Sequence, residues 1–171
     1  MKLNKSFSTT PFYLVATPIG NLSEISPRVK ETLNAVDFIA CEDSRVTRKL
    51  LSHLDISKTL ISLHQFNEEA KSKEIIERIR AGQKGAYVSD AGYPLISDPG
   101  SRLVKSLLDA NIFISVINGP SALLPALIGS GLPSDHFYFH GFLDLKAKAL
   151  ELEYLKAKKE TLIFYEAPHR I

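Results

Sequence analysis

The chain has 171 residues, 44% apolar and 23% charged, which excludes disorder as the overall state and suits one full domain plus part of a second. Lysine and arginine total 21 against 19 aspartates and glutamates, a net charge of +2 that gives little electrostatic pull toward nucleic acid. The single cysteine, Cys41, excludes a disulfide scaffold and a cysteine-based zinc cluster, and it fits a reducing compartment.

Residues 1–10 are polar and lack the apolar core of a signal peptide. The first predicted strand is 12–17 (FYLVAT). Ser26 and Pro27 then predict a helix start, a capping hydroxyl followed by a proline at the first helical position. A strand follows over 37–42 (DFIACE). The helix predicted over 44–54 places Val46, Leu50, Leu51 and Leu54 on one face. A third strand is predicted over 59–64 (TLISLH). The charged helix over 67–81 buries Ile75, Ile76 and Ile79 and ends at Gly82.

The fourth strand is 85–90 (GAYVSD), followed by the loop AGYPLISDPG. A helix over 101–110 turns Leu103, Val104, Leu107 and Leu108 inward, and a fifth strand is 113–118 (FISVIN). Five apolar strands, each followed by a helix, predict an α/β fold: a mostly parallel sheet with helices on both faces. The pattern changes after Asn118. A helix begins near Ser121, which is expected to cap it. An aromatic strand over 136–142, a charged helix over 146–158 and a strand over 161–166 follow. The reading is an N-terminal α/β domain over 1–118 and the opening of a second, incomplete α/β domain over 119–171. Fifty residues are too few for an independent core, so the chain reads as a fragment or as leaning on a partner. The most apolar stretch, 122–132, is short and broken by Pro125, Gly129, Ser130 and Gly131, so no membrane span is expected and the protein reads as soluble and cytoplasmic.

Open parallel sheets bind ligands beyond the carboxyl ends of their strands. Those ends carry TPIGNL, then Glu42–Asp43–Ser44–Arg45, then His64–Gln65–Phe66–Asn67, then the loop from Ser89 to Gly100, then Gly119–Pro120–Ser121–Ala122. There is no GxGxxG and no Walker motif. TPIGNL on its own reads as plain turn chemistry. The loop 89–100 is long for such a connection and holds two aspartates, which favours function. Cys41 reads as core rather than nucleophile. His136 and His140 could share a strand face, but no third ligand accompanies them, and no metal is expected. Arg45, Arg48 and Lys49 lie opposite the apolar face of their helix. Individually they read as a solvated surface, and together they could hold phosphates.

Several segments go beyond generic pattern. VATPIGNL (15–22), DFIACEDSRVTRKLL (37–51), VSDAGYPLISDPG (88–100), NGPSALLPAL (118–127), FHGF (139–142) and FYEAPHRI (164–171) together resemble one family. It is the small-subunit ribosomal RNA 2′-O-ribose cytidine methyltransferases, of the tetrapyrrole-methylase fold (class III S-adenosylmethionine-dependent methyltransferases). The resemblance runs from about Phe12 to the end of the chain. It implies two α/β domains with the methyl donor in the cleft between them, usually in a homodimer, and members that continue past the position of Ile171. Part of the donor pocket is then expected to be missing.

Carried over by position, the resemblance implies that Pro18, Ile19, Gly20, Asp90, Gly92, Ser121, Ala122 and Tyr165 bind S-adenosyl-L-methionine. Proton removal from the ribose hydroxyl falls to Asp43, Asp98, Glu166 or His169, with the choice open. Arg45, Arg48 and Arg170 are candidate contacts to small-subunit ribosomal RNA. The competing readings are a methyltransferase of the same fold acting on a tetrapyrrole or protein side chain, and a non-catalytic module.

Overall fold

The computed structural model describes residues 10–144, 146 and 148–170. The polar stretch 1–9 and the closing Ile171 considered above lie outside them. The chain divides into two compact units, with the boundary between Pro120 and Ser121.

In the first unit five strands form one parallel sheet: β1 (Phe12–Val15), β2 (Phe38–Cys41), β3 (Thr59–Ser62), β4 (Gly85–Val88) and β5 (Ile114–Ile117). The spatial order is β3-β2-β4-β1-β5. Each of the three interior strands is buried at all four residues. This is the signature of a sheet covered on both faces.

Successive side chains of a strand point to opposite faces, and the packing follows that period of two. Tyr13, Val15, Ile39, Cys41, Ala86 and Val88 face one side. There α1 (Pro27–Ala35) contributes Val29 and Leu33, and α2 (Ser44–His53) contributes Leu50 and Leu51. Phe12, Leu14, Phe38, Ala40 and Tyr87 face the other side. There α3 (Glu68–Arg80) contributes Ile75 and Ile79, and α4 (Ser101–Asp109) contributes Leu103 and Leu107. The cap predicted for α1 forms: the Ser26 hydroxyl accepts from the Val29 N–H at 3.2 Å, with Pro27 at the first helical position.

The edges depart from the expectation of full cover. β3 exposes Thr59 and Ser62, and β5 exposes Val116. Leu108, read as inward from its helical spacing, is 58% exposed. It lies on α4, whose buried stripe is narrow and is met by Leu103 and Leu107. Val46 is also exposed, at the start of α2 rather than under it.

The second unit contains α5 (Leu123–Gly129), β6 (Phe137–Gly141), α6 (Lys148–Lys156) and β7 (Thr161–Phe164). β6 and β7 pair in parallel, with an irregularity between Phe139 and Gly141. Among its described residues Leu127, Leu155 and Ile163 are buried and apolar. Ser121 does not cap α5. The residue before the helix is Ala122, already in right-handed helical geometry, and there is no side-chain cap bond at that position. Ser121 thus sits one residue too early to reach the N–H groups a cap must satisfy. Among the described residues no helix is long and apolar enough to cross a membrane.

Candidate functional site

The loops leaving β1 and β4 are tied together by backbone. The Thr17 N–H donates to the Gly92 carbonyl at 2.9 Å, and the Gly92 N–H donates back to the Thr17 carbonyl at 3.0 Å. The Thr17 hydroxyl donates to the Ser89 carbonyl, and the Ser89 hydroxyl to the Gly92 carbonyl, each at 3.1 Å. Gly92 has φ +76°, and a Cβ there would stand 3.3 Å from Ile19 Cγ2. Glycine therefore serves both the left-handed backbone and the close approach of the two loops.

Beside this junction lies a cavity of about 240 Å³ lined by Thr17, Pro18, Gly20, Thr47, Ser89 and Asp90 among others. Pro18, Gly20 and Asp90, from two different loops, thus share one wall. Ile19 and Gly92 meet behind them. The volume is under the roughly 300–1,000 Å³ of complete small-molecule sites, so the cavity suits one portion of a nucleoside-sized ligand.

Asp90 reaches across to β2. Its Oδ1 accepts from the Asp43 N–H at 3.1 Å. Asp43 caps α2, accepting from the Arg45 N–H at 2.8 Å, and its carboxylate takes a fork from the Arg45 guanidinium, with Nη2 to Oδ2 at 2.6 Å. Those bonds favour the ionised form and hold the Asp43 carboxyl down at about 2. A carboxylate so engaged is a weak proton acceptor. Arg45 and Arg48 are both exposed on α2.

A second cleft of about 720 Å³ opens beyond the ends of β2 and β3. Glu42, His64, Phe66, Glu68, Asp98 and Arg102 are among its lining residues. Burial pushes the Asp98 carboxyl up, reinforced by Asp90, with a Ser89 hydrogen bond pulling the other way. Burial also raises Glu42, with Asp98, Asp90 and Asp43 adding repulsion. Among the described residues, Glu42 and Asp98 are the half-buried carboxyls whose surroundings favour holding a proton. Glu42 carries no site signal in the sequence, because at the end of a strand it looks like an ordinary polar boundary. Its significance comes from three aspartates that arrive from α2 and the β4 loop.

The sign of the pH dependence follows. For Glu42 the folded state disfavours the charge, so ionised Glu42 costs stability above its raised folded value. The cost fades as pH falls through that value. Asp43 runs the other way: its ion pair stabilises above about pH 4 and is lost as pH falls toward 2. We therefore expect Glu42→Gln to raise the melting temperature at pH 8. The gain should shrink toward pH 4. Thermal melts across that range would refute this with an equal shift at both ends.

In the second unit, Tyr165 follows β7, its N–H donating to the Gly141 carbonyl at 3.0 Å. Its ring packs edge-on against Phe139, with centroids 4.9 Å apart, and against Phe142. Glu166 Oε1 accepts from the Ala167 N–H at 2.8 Å and lies 2.9 Å from Arg170 Nε. Arg170 Nη2 also donates to the Leu143 carbonyl at 3.0 Å. Glu166 and Arg170 are thus engaged with each other in a half-buried pair. His169 is exposed on the short 3-10 turn Pro168–Arg170. Ser121 is half-buried and Ala122 exposed.

Comparison with known proteins matches residues 11–171 to the model of the tetrapyrrole (corrin/porphyrin) methylases. Curated relatives carry the name ribosomal RNA small subunit methyltransferase I. One from Synechocystis sp. is 50% identical over 161 residues, covering 93% of this chain and 58% of the relative. One from Bacillus subtilis is 46% identical, covering 100% of this chain and 59% of the relative. One from Escherichia coli O157:H7 is 47% identical, covering 93% and 56%. The chain therefore spans less than two thirds of the length of these relatives. Among solved structures, uroporphyrin-III-C-methyltransferase from Thermus thermophilus superposes with a TM-score of 0.58 at 22% identity, over 78% of this chain and 60% of that one. That likeness bears on the fold alone.

Proposed function

This chain belongs to the tetrapyrrole (corrin/porphyrin) methylase family, and from that premise we propose that it acts as an S-adenosylmethionine-dependent methyltransferase on a cytidine ribose 2′-hydroxyl of small-subunit ribosomal RNA. The substrate class rests on the relatives' name and on the motif resemblance. Residues 119–171 are taken as the opening of the second α/β domain.

The observation that carries the donor assignment is the joining of the β1 and β4 loops around Asp90. When bound, the donor supplies an electrophilic methyl group on a sulfonium. The cavity beside Pro18, Gly20 and Asp90 suits it in kind. Backbone approaches closely at Gly92, apolar wall comes from Leu22 and Leu50, and Asp90 offers a carboxylate acceptor, with Lys49 as the other charged group of the lining. The resemblance also assigns donor contacts to Tyr165, Ser121 and Ala122 in the second unit.

Aligning the ribose hydroxyl and taking its proton is assigned to Asp98, with Glu42 beside it. A base needs a raised affinity for protons, and these two have it while Asp43 and Glu166 are committed to Arg45 and Arg170. Arg45 and Arg48 are proposed phosphate contacts. Cytoplasmic location is proposed because the substrate is ribosomal. A homodimer is proposed because Leu108, Phe113 and Val116 leave exposed apolar surface at the β5 edge.

The test has two steps. Calorimetric titration of S-adenosylmethionine and S-adenosylhomocysteine into the protein should give micromolar binding. Labelled methyl should then pass to small ribosomal subunits and stay alkali-resistant, as a ribose 2′-O-methyl does. Donor binding with transfer only to a tetrapyrrole or to protein would replace the substrate. Failure to bind the donor, in this chain and in one extended past Ile171, would overturn the reading.

A further inference from the structure

Glu68 opens α3 and is 5% exposed. Its Oε1 is sequestered from solvent and finds no hydrogen-bond partner among the described residues. A buried carboxylate oxygen without a donor is costly, and native structures normally supply one. The helix N-terminus offsets part of the charge. It does not supply a bond to this atom. Glu68 lines the 720 Å³ cleft, so once a small rotation of its side chain opens this oxygen to the cleft, a ligand seated there supplies the missing donor.

Three further features of the same cleft narrow the ligand. Phe66 is 87% exposed, an aromatic face left in solvent at the rim, with the His64 ring 6.1 Å away. Exposed aromatics of this kind are platforms for unstacked bases. In the same lining α4 begins at Ser101, with no side-chain cap at Gly100, and Arg102 follows at its second position. That end suits a phosphate. Glu42 and Asp98 lie in the same lining. One cleft thus offers a stacking face, a buried acceptor in need of a donor, and a cationic helix start. That set matches a nucleotide whose base carries an amino group.

We propose that this cleft holds the target nucleotide, with the cytosine base on Phe66, its exocyclic amine donating to Glu68, and its phosphate toward Arg102 and the start of α4. The proposal deepens the reading of the chain as an RNA ribose methyltransferase and rests on it for the identity of the base. A carboxylate accepts from cytosine N4 and repels the O4 acceptor of uracil, so Glu68 discriminates between the two pyrimidines. Phe66 contributes affinity without choosing a base, because every base has a stacking face.

The experiment uses cytidine 5′-monophosphate and uridine 5′-monophosphate as probes. Each is titrated into the protein while backbone amide shifts are followed by NMR. The cytidine nucleotide should shift the amides of Phe66, Glu68, Ser101 and Arg102 and bind about tenfold more tightly than the uridine nucleotide. Glu68→Gln should erase or reverse that preference, since an amide offers both donor and acceptor. Phe66→Ala, at an exposed position, should weaken both nucleotides by a similar factor. Equal affinity for the two probes, shifts confined elsewhere, or an unchanged preference in Glu68→Gln would overturn the proposal. A parallel titration of S-adenosylmethionine separates the two readings. Donor binding without nucleotide binding removes the base cleft and leaves the methyltransferase, and nucleotide discrimination without donor binding does the reverse.

Discussion

Asp90→Ala is expected to lower affinity for S-adenosylmethionine and S-adenosylhomocysteine by about 10- to 100-fold, the worth of one or two hydrogen bonds to a charged acceptor. Asp90 lines the cavity between the β1 and β4 loops and also accepts from the Asp43 N–H. Removing it therefore acts twice, on the ligand wall and on the link to the start of α2. Asp90→Asn separates the two, because the amide oxygen can still accept from Asp43 while the charge is gone. Its affinity should fall between the parent and the alanine variant. A second consequence concerns the neighbours. Asp90 repels the ionised forms of both Glu42 and Asp98. Without it both carboxyls should titrate lower, visible as a shift in their NMR titration curves. The fold should survive, since Asp90 is half-buried in a loop and not part of the core. Calorimetry with thermal melts checks all of this. Unchanged donor affinity in a folded variant would remove Asp90 from the site.

The interior of the first unit was legible in the sequence for a simple physical reason. β1, β2 and β4 are covered on both faces, so every residue is apolar or small and the runs stand out as FYLV, FIAC and GAYV. The order β3-β2-β4-β1-β5 was not legible, because which strands pair depends on crossovers and not on local pattern. Exposure at the rim is hidden from the sequence for the same reason. Leu108 has helical spacing that fits the buried stripe of α4, but it is left exposed beside the buried Leu107. Ser121 fits a capping signature, but Ala122 stands between it and the helix, and one residue defeats the geometry.

The site was legible as a place and less so as chemistry. Parallel topology sends every strand end to one edge, so TPIGNL and the loop after β4 had to be near one another. The roles within it depend on side-chain pairing that spacing does not encode. Asp43 and Arg45 are two residues apart, and only the fork between them shows that one is spent on the other. Glu166 and Arg170 repeat the case. Glu68 reads as an ordinary acidic residue in a helix's first turn. Only burial without a partner marks it out.

Gly100→Ala should be the most destabilising single-methyl change in the first unit's site loops. Gly100 precedes α4 with φ +119° and ψ −8°, a backbone that L residues rarely adopt. A Cβ there would lie 2.5 Å from Tyr87 Cε1. That ring cannot swing aside, because Tyr87 is fully buried on β4 and its hydroxyl donates to the Pro99 carbonyl at 3.0 Å. The backbone strain costs about 1–3 kcal/mol and the overpacking a similar amount. The sum is a large part of the roughly 5–15 kcal/mol that holds an ordinary domain together. At about 2–4 °C per kcal/mol, a fall in melting temperature on the order of 10 °C is expected. The same strain bears on ligand binding. Pro99 and Ser101 flank this position and line the cleft that holds Glu42, Glu68 and Asp98. Any backbone shift that relieves the clash must therefore move that wall. Nucleotide affinity should fall with stability in Gly100→Ala, whereas donor affinity at the β1–β4 junction should change much less. Thermal melts and parallel titrations of the two ligands test this pairing. A variant as stable as the parent would mean that the loop can relax without Tyr87, and that the backbone at Gly100 is not what holds the cleft wall.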